Sequence, residues 1–297
     1  MSTVTIGEYR IDKVVELERP FAHAQDFFPD LTAEMLETCR RELPAGQLAA
    51  NDFLNMSYHC FVLRTPRHTI LIDTCCGNGK ERRTRPEFSR LDTGFLATLA
   101  AAGVRPEQVD FVMCTHLHWD HVGWNTRMVD GRWVPTFPNA RYVVGRTEYE
   151  YWDAAYRRGD DSVHCASFED SVLPVKRAEQ VVLVADDHEL EAGIVLEPCF
   201  GHSAGHVVVN IASGGARGVV TGDVIHHQIQ LRFPAMSTKA DTDRDRARQT
   251  RTALIEKHAD TGTLLLPAHF VTPTVGRIAR AREGFRYAPL ADGRAGV

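Results

Sequence analysis

Three histidines and one aspartate lie within six residues, at His116, His118, Asp120 and His121 in the run THLHWDH. The run directly follows residues 109–114, whose mostly apolar side chains predict a short buried strand. In extended backbone, side chains two positions apart point the same way, so His116 and His118 can bind one ion together. Asp120 and His121 follow where the chain turns and can reach a second position. Imidazole nitrogen and carboxylate oxygen suit zinc, and also iron, manganese or cobalt.

Further candidate ligands follow predicted strands later in the chain. GHSAGH, residues 201–206, lies in a turn between two such strands. Asp223, in TGD, and His269, in PAH, each follow a short apolar run. Each is a weak signal alone, because a single polar residue after a strand is usually structural. In this order after HxHxDH, they predict a site for two metal ions.

The order HxHxDH, GHSAGH, TGD and PAH resembles that of the metallo-β-lactamase superfamily, and the resemblance covers nearly the whole chain. It implies an α/β fold, an αββα sandwich of two mixed β-sheets flanked by helices. One domain over residues 1–297 would then contain two similar halves, about 1–185 and 186–297. By the same resemblance, the site holds two divalent metal ions, which are expected to be zinc, with iron, manganese or cobalt as alternatives. The implied ligands are His116, His118, Asp120, His121, His202, Asp223 and His269.

The resemblance also distributes roles among these residues. It implies a first metal held by His116, His118 and His202 and a second held by Asp120, His121 and His269. Asp223 would bridge the two ions. His206 matches a position that is more often structural than ligating. Asp73, in LIDTCCG, matches an aspartate that orients a ligand histidine from behind.

Two divalent ions lower the pKa of a shared water from 15.7 toward about 7, and the resulting hydroxide needs no serine or cysteine nucleophile. Asp120 is expected to orient that water and take its proton. In lactonases of the superfamily, a Tyr or His sits three residues after the bridging aspartate, where this chain has His226. His226 is therefore expected to donate a hydrogen bond to a substrate oxygen. Packing at the strand edge is the alternative for His226, and His227 is expected to be structural.

The resemblance favours a hydrolase that opens a lactone or similar ester. The preferred substrate is an acyl-homoserine lactone or a related small lactone. Asp223, His226 and the long N-terminal segment resemble the lactonase and organophosphate-hydrolase branch of the superfamily. Secreted β-lactamases carry Cys in place of Asp223, and flavodiiron proteins carry Glu in place of His118. The alternatives are a phosphotriester, aryl ester or thioester hydrolase, a mononuclear iron dioxygenase, and a metal-stabilised binding protein.

Composition excludes several other classes of function. The net charge is −5 and the basic residues are dispersed, which argues against a nucleic-acid partner. No run of 18 apolar residues and no signal-peptide pattern occurs, so we expect no membrane association and a cytoplasmic location. Seven cysteines without a CxxC indicate reduced thiols. Family analogy alone suggests a homodimer that acts on a small-molecule substrate.

The apolar pattern also predicts individual elements. We expect a hairpin over 3–17, strands over 57–64 and 68–73, a helix over 88–103 that stops at Gly103, and a charged helix over 241–259. Further strands are expected at 109–114, 141–145, 180–184, 193–199, 205–212, 217–221 and 263–266. Two aromatic segments, 18–56 and 146–176, fit no simple pattern. Each is expected either to cover the substrate or to pack at the periphery.

Overall fold

The computed structural model describes residues 2–290. Over this range the strands are β1 Ser2–Ile6, β2 Tyr9–His23, β3 Phe53–Arg64, β4 Thr69–Ile72, β5 Phe111–Cys114, β6 Thr126–Val129, β7 Arg132–Pro135, β8 Arg141–Gly145, β9 Val181–Val184, β10 Glu189–Glu191, β11 Ile194–Pro198, β12 Val207–Ser213, β13 Ala216–Val220, β14 Leu264–Leu266, β15 Gly276–Arg280 and β16 Phe285–Pro289. The α-helices are α1 Ala24–Phe27, α2 Ala33–Glu42, α3 Phe95–Ala101, α4 Arg146–Arg157, α5 Val163–Ser167, α6 Leu173–Arg177, α7 Ile229–Arg232 and α8 Arg244–His258.

The strands form two mixed seven-stranded sheets and one separate hairpin. The first sheet has the order β1-β2-β3-β4-β5-β8-β9, and its last four strands run parallel to one another. The second has the order β10-β11-β12-β13-β14-β15-β16 and is antiparallel except for the pair β13 and β14. Within residues 2–290, β6 and β7 pair only with each other. Two mixed sheets with accompanying helices confirm the expected fold class.

The chain divides into two compact units. Among the described residues, the first comprises 2–17 together with Tyr58–His188, and the second comprises Glu18–Ser57 together with 189–290. The later change of unit falls after His188, and the two similar halves expected from the sequence stay a prediction. The segment Glu18–Ser57 groups with the later part of the chain, although it precedes most of the first unit in sequence.

The core of the first unit lies between its parallel strands and helices α3 to α6. Leu71 on β4 and Val112 on β5 pack in one cluster with Phe95 on α3 and with Trp152 and Tyr149 on α4. The segment 146–176 therefore forms helices whose aromatic side chains belong to this core. Of the two roles expected for this segment, its buried aromatic residues support packing.

The predicted helix over 88–103 ends as expected but begins later. α3 covers Phe95–Ala101, and Gly103 follows with a φ of 78°, a conformation that glycine adopts without steric cost. The expected start at 88 is wrong because the preceding polar residues are held by tertiary contacts. The Thr93 hydroxyl donates to Glu16 at 3.0 Å, and the Thr93 N–H donates to Asn78 at 2.8 Å.

The core of the second unit lies between its sheet and helix α8. Val208, Val219 and Leu265 on β12, β13 and β14 pack with Leu254 and Ile255 of the helix. The Asp243 side chain accepts the Arg246 N–H at 3.0 Å and so begins α8 three residues after the predicted start.

The remaining sequence predictions concern the strands, the cysteines and membrane-spanning helices. The predicted strands are present, whereas β6, β7, β10, β15 and β16 were not predicted. These strands are short and carry exposed or charged residues, so their pattern is weak. All seven cysteines are free and buried. Among residues 2–290, no helix combines the length and apolar character needed to cross a membrane.

Candidate functional site

The candidate ligands in THLHWDH lie in a tight turn of the first unit, directly after β5. The turn is anchored to residues that follow the neighbouring strand β4. The Thr74 N–H donates to the His121 carbonyl at 2.7 Å, and the Gly123 N–H donates to the Cys75 carbonyl at 2.7 Å. A Cβ at Gly123 would lie 1.9 Å from the backbone of Cys76, so a side chain cannot be accommodated there. Close backbone contact therefore fixes the path of this turn.

Asp73 orients two parts of the turn. Its carboxylate accepts the Thr115 N–H and hydroxyl, each at 2.8 Å, and contacts His121 Nδ1 at 2.9 Å. A carboxylate only accepts, so Nδ1 of His121 carries the proton and Nε2 presents its lone pair. His116 Nδ1 lies 3.1 Å from the Thr115 hydroxyl, which leaves its Nε2 for a ligand role as well. The predicted contact of Asp73 with a candidate ligand histidine is confirmed.

Within the first unit, the candidate ligands form two close pairs. His116 and His118 bring one ligand atom each within 4.8 Å of one another, and Asp120 and His121 do the same. The imidazole rings of the first pair are 4.4 Å apart. The three histidines are buried and Asp120 is half-buried. This pairing agrees with the expected division of the motif between two positions.

In the second unit, three histidines surround the carboxylate of Asp223. Its Oδ2 lies 3.2 Å from His202 Nε2 and 3.1 Å from His226 Nε2, and its Oδ1 lies 3.0 Å from His269 Nε2. Asp223 follows β13, His202 lies between β11 and β12, and His269 follows β14. The parallel pairing of β13 with β14 brings the ends of these two strands to the same sheet edge. The two oxygens of Asp223 thus face different candidate ligands.

Asp241 orients His202, a role that was not predicted from the sequence. His202 Nδ1 lies 3.0 Å from Asp241 Oδ1, and the other oxygen of Asp241 accepts the Thr238 N–H at 2.8 Å. The guanidinium of Arg251, itself buried, lies 3.9 Å from the same carboxylate. Asp241 stands in a polar run, STKADTD, in which nothing distinguishes it from its neighbours.

The electrostatics of the second set favour a positive charge. Burial lowers the pKa of His202, but the carboxylates of Asp223 and Asp241 outweigh that effect and raise the pKa to about 9. Burial raises the pKa of Asp241, yet its hydrogen bond with His202 and the charge of that imidazole lower the pKa overall. With Nδ1 directed at Asp241 and Nε2 directed at Asp223, the imidazolium form donates at both nitrogens.

The histidines that flank these residues differ in role. His206 Nε2 accepts the Asp223 N–H at 2.9 Å, which fits its expected structural role because that lone pair is occupied. His227 Nε2 lies 3.0 Å from the Gln47 carbonyl, and burial lowers the pKa of His227 to about 4. His226 instead faces Asp223, stacked on His269 with ring centroids 5.8 Å apart. Burial lowers the pKa of His226 and favours its neutral form.

The N-terminal segment of the second unit contacts these histidines at three points. The ring of Phe27 on α1 lies 5.4 Å from that of His226, and the Gln47 carbonyl binds His227. His269 Nδ1 donates to the Ser57 carbonyl at 3.1 Å, and the Ser57 N–H donates to the His269 carbonyl at 3.0 Å. The segment is therefore part of the support of His226 and His269.

Both units offer donors that suit a divalent metal ion. Each set consists of imidazole nitrogens and carboxylate oxygens, and Nδ1 of His116, His121 and His269 has a side-chain or backbone partner, so Nε2 is the nitrogen that a metal ion would take. The carboxylates that raise the pKa of His202 favour positive charge at this position, which a bound cation could supply in place of the proton on Nε2. These residues therefore fit a divalent metal ion such as zinc.

The family model of the metallo-beta-lactamase superfamily matches residues 56–269, well over half of the chain. The chain belongs to the metallo-beta-lactamase superfamily. Its membership agrees with the resemblance carried by the four motifs, all of which fall in the matched region.

Relatives within the superfamily include bacterial lactonases. An N-acyl homoserine lactonase of Bacillus cereus is 27% identical over 171 residues, which cover 54% of this chain and 60% of that enzyme. The lactonase AttM of Azorhizobium caulinodans is 35% identical over 103 residues, which cover 31% of this chain and 35% of that enzyme. The chain therefore matches less than two thirds of the length of these relatives.

Solved structures of the superfamily match over nearly the full length. The hydrolase AbOPH is 22% identical with a TM-score of 0.82, and the match covers 98% of this chain and 97% of that one. AidC, named a dizinc quorum-quenching lactonase, is 20% identical with a TM-score of 0.78, and the match covers 97% of each chain. At these identities the likeness establishes the metallo-beta-lactamase fold.

Proposed function

We propose that this protein is a metal-dependent hydrolase that opens a lactone or similar ester, with an acyl-homoserine lactone or related small lactone as the first substrate class. The observation that carries the proposal is the carboxylate of Asp223, which has His202 and His226 at one oxygen and His269 at the other. A carboxylate so placed can serve two ions at once. The lactonase relatives from Bacillus and Azorhizobium support the choice of substrate.

The proposed ligands are those expected from the sequence. His116, His118 and His202 would hold one ion, Asp120, His121 and His269 the other, and Asp223 would bridge them. When bound, two divalent ions would supply an activated water at neutral pH and polarise the substrate carbonyl. Asp73 contacts Nδ1 of His121, and Asp241 contacts Nδ1 of His202. Nε2 of each histidine therefore points away from the aspartate that holds it. Zinc fits these ligands, and iron, manganese or cobalt fit the same donor types.

Two residues would act on the reacting groups. Asp120, half-buried beside His121, would orient the water and accept its proton. His226 would donate a hydrogen bond from Nε2 to the substrate carbonyl or to the leaving oxygen. The lowered pKa of His226 keeps this imidazole neutral, so that Nε2–H is a donor without adding a second positive charge.

Proton release tests the proposal directly. The zinc-reconstituted protein would be mixed with acyl-homoserine lactones and with simple γ- and δ-lactones in a weakly buffered pH indicator. Acid production that a chelator abolishes and that is lost in Asp223→Ala is the expected result. Absence of acid with every lactone would overturn the lactone assignment. Phosphotriesters, aryl esters and thioesters would then be assayed, and turnover of one of them would replace it.

A further inference from the structure

Helix α4 carries a buried carboxylate, Glu148, that is tied to the metal-ligand turn. The side chain of Glu148 is 1% exposed. Its Oε1 accepts the Leu117 N–H at 3.0 Å and the indole N–H of Trp152 at 2.8 Å. Leu117 is the residue between His116 and His118, so the helix is bonded to the backbone of the candidate ligand pair. All of these residues belong to the first unit.

The ring of His118 is packed by the same region of the chain. The ring of His164 on α5 lies 3.8 Å from that of His118 with only 30° between their planes. Trp152 lies 5.7 Å from His118 and 5.3 Å from His164. Helices α4 and α5 therefore fix both the backbone beside His118 and the orientation of its ring.

The other ligands of the turn are held by different residues. Asp73 contacts Thr115 and His121 through its two oxygens, and the Thr115 hydroxyl contacts His116. Glu148 accepts from Leu117, which is one residue along the chain from both His116 and His118. A buried carboxyl group is costly unless it is hydrogen-bonded, so these two accepted bonds tie Glu148 to the turn and to Trp152. Its position in the first turn of α4 adds favourable interaction with the helix dipole.

We propose that Glu148 is a positioning residue for the metal ion at His116 and His118. It acts through the Leu117 N–H and through Trp152, which packs with His164 on the ring of His118. The segment 146–176 thereby sets how tightly that ion is held. This inference rests on the proposed metal site, but it is tested by metal affinity rather than by substrate turnover.

The experiment measures zinc and cobalt dissociation constants by chelator competition for the wild type, Glu148→Gln and Glu148→Ala. Loss of an orienting partner outside the ligands typically weakens metal affinity about 10- to 100-fold. We expect Glu148→Ala to weaken one of the two ions by that amount and to change the visible spectrum of the cobalt form. Glu148→Gln keeps an oxygen acceptor for both N–H groups, so we expect it to recover most of the affinity.

A matched control lies on the same helix. Glu150 is exposed and forms a 3.9 Å ion pair with Arg146, so Glu150→Gln removes one negative charge without touching the turn. It should bind both ions as the wild type does. If Glu148→Ala does not fold, Trp152→Phe carries the test, because it removes the indole N–H donor to Glu148 and keeps a smaller aromatic ring at that position. We expect Trp152→Phe to weaken one ion several-fold.

The outcomes separate this inference from the proposed function. Wild-type dissociation constants and cobalt spectra in every folded variant at Glu148 and Trp152 would overturn the positioning role. Equal weakening by Glu150→Gln would overturn it too, because only net charge would then matter. A wild type that binds two ions, responds at Glu148 and opens no lactone would support the inference while refuting the proposed substrate. A wild type that binds no divalent ion would refute both.

Discussion

The two units hold their candidate ligands in different ways. In the first unit, the ligands follow one another in a single turn, and residues outside the turn, Asp73 and Glu148, fix its backbone as well as its side chains. In the second unit, His202, Asp223 and His269 come from three separate loops and meet around the carboxylate of Asp223. The first set is held mainly through the backbone of one turn, whereas the second set converges on the side chain of Asp223.

This difference predicts how each set fails. Loss of a single residue from the turn leaves its neighbours in place, because backbone hydrogen bonds hold the path of the chain. Loss of Asp223 removes the common partner of three histidines at once. Substitution of Asp223 should therefore affect more than one candidate ligand.

The largest expected effect follows from the replacement of Asp223. Asp223→Ala should lower the metal content below two ions per chain and reduce turnover to background, because both ions would lose the bridging carboxylate. Asp120→Ala, in the turn of the first unit, should weaken one ion and slow the chemical step. Elemental analysis and steady-state rates measure both effects. Two ions and a full rate in Asp223→Ala would refute the bridging role.

A smaller effect separates two adjacent histidines of the second unit. His226→Ala should reduce kcat by about 10²- to 10³-fold, the usual cost of removing one donor to a developing oxyanion, while two ions remain bound. His227→Ala should instead destabilise the fold by about 1–3 kcal/mol, because the Gln47 carbonyl loses its buried partner. Steady-state rates and thermal unfolding of both variants measure these two effects. An unchanged kcat in His226→Ala would assign that histidine to packing.

Asp73 in the first unit and Asp241 in the second each orient one candidate ligand histidine, so their variants can be compared directly. Asp73→Asn and Asp241→Asn should each weaken metal binding by about 10- to 100-fold, the range typical of such partners. Asp73 contacts His121 and Asp241 contacts His202, so each variant should release a different ion. Chelator competition on the two variants and on the double variant tests this. If both variants lose the same ion, the assignment of His121 and His202 to different ions is incorrect.

The smallest effect concerns buried cations and leaves the metal ligands untouched. Burial lowers the pKa of Lys80, in the first unit, to about 7, although the charge of Asp170 opposes this shift. Burial lowers the pKa of Arg251, in the second unit, only to about 10. Between pH 7 and 10, the folded state binds fewer protons at Lys80 than the unfolded state, so stability should rise with pH.

Paired variants test that pH dependence. The free energy of unfolding of the metal-free wild type should rise relative to Lys80→Met by on the order of 1 kcal/mol per pH unit between pH 7 and 9. The difference between the wild type and Arg251→Met should stay level over the same interval, since Arg251 is protonated throughout. Chemical denaturation at several pH values measures both. Parallel curves for the wild type and Lys80→Met would contradict the lowered pKa.

The sequence by itself determined the chemistry that each unit offers. HxHxDH is recognisable because its ligands are contiguous and directly follow an apolar strand. GHSAGH, TGD and PAH become informative only through their order, and together with that motif they identify the superfamily. The contact of Asp73 with a candidate ligand histidine was also predicted, because its motif has a known place in that family.

Only the tertiary structure decided which residues orient the ligands. Asp241 lies 39 positions from His202, and Glu148 lies 31 positions from Leu117. Glu148 and Glu150 occupy the same helix and look alike in sequence, yet one is buried against the ligand turn and the other is exposed. Such contacts depend on strand pairing and helix packing over long separations, which local patterns do not encode. The same physical reason explains why the helix expected to begin at residue 88 begins instead at Phe95, where Thr93 is held by Glu16.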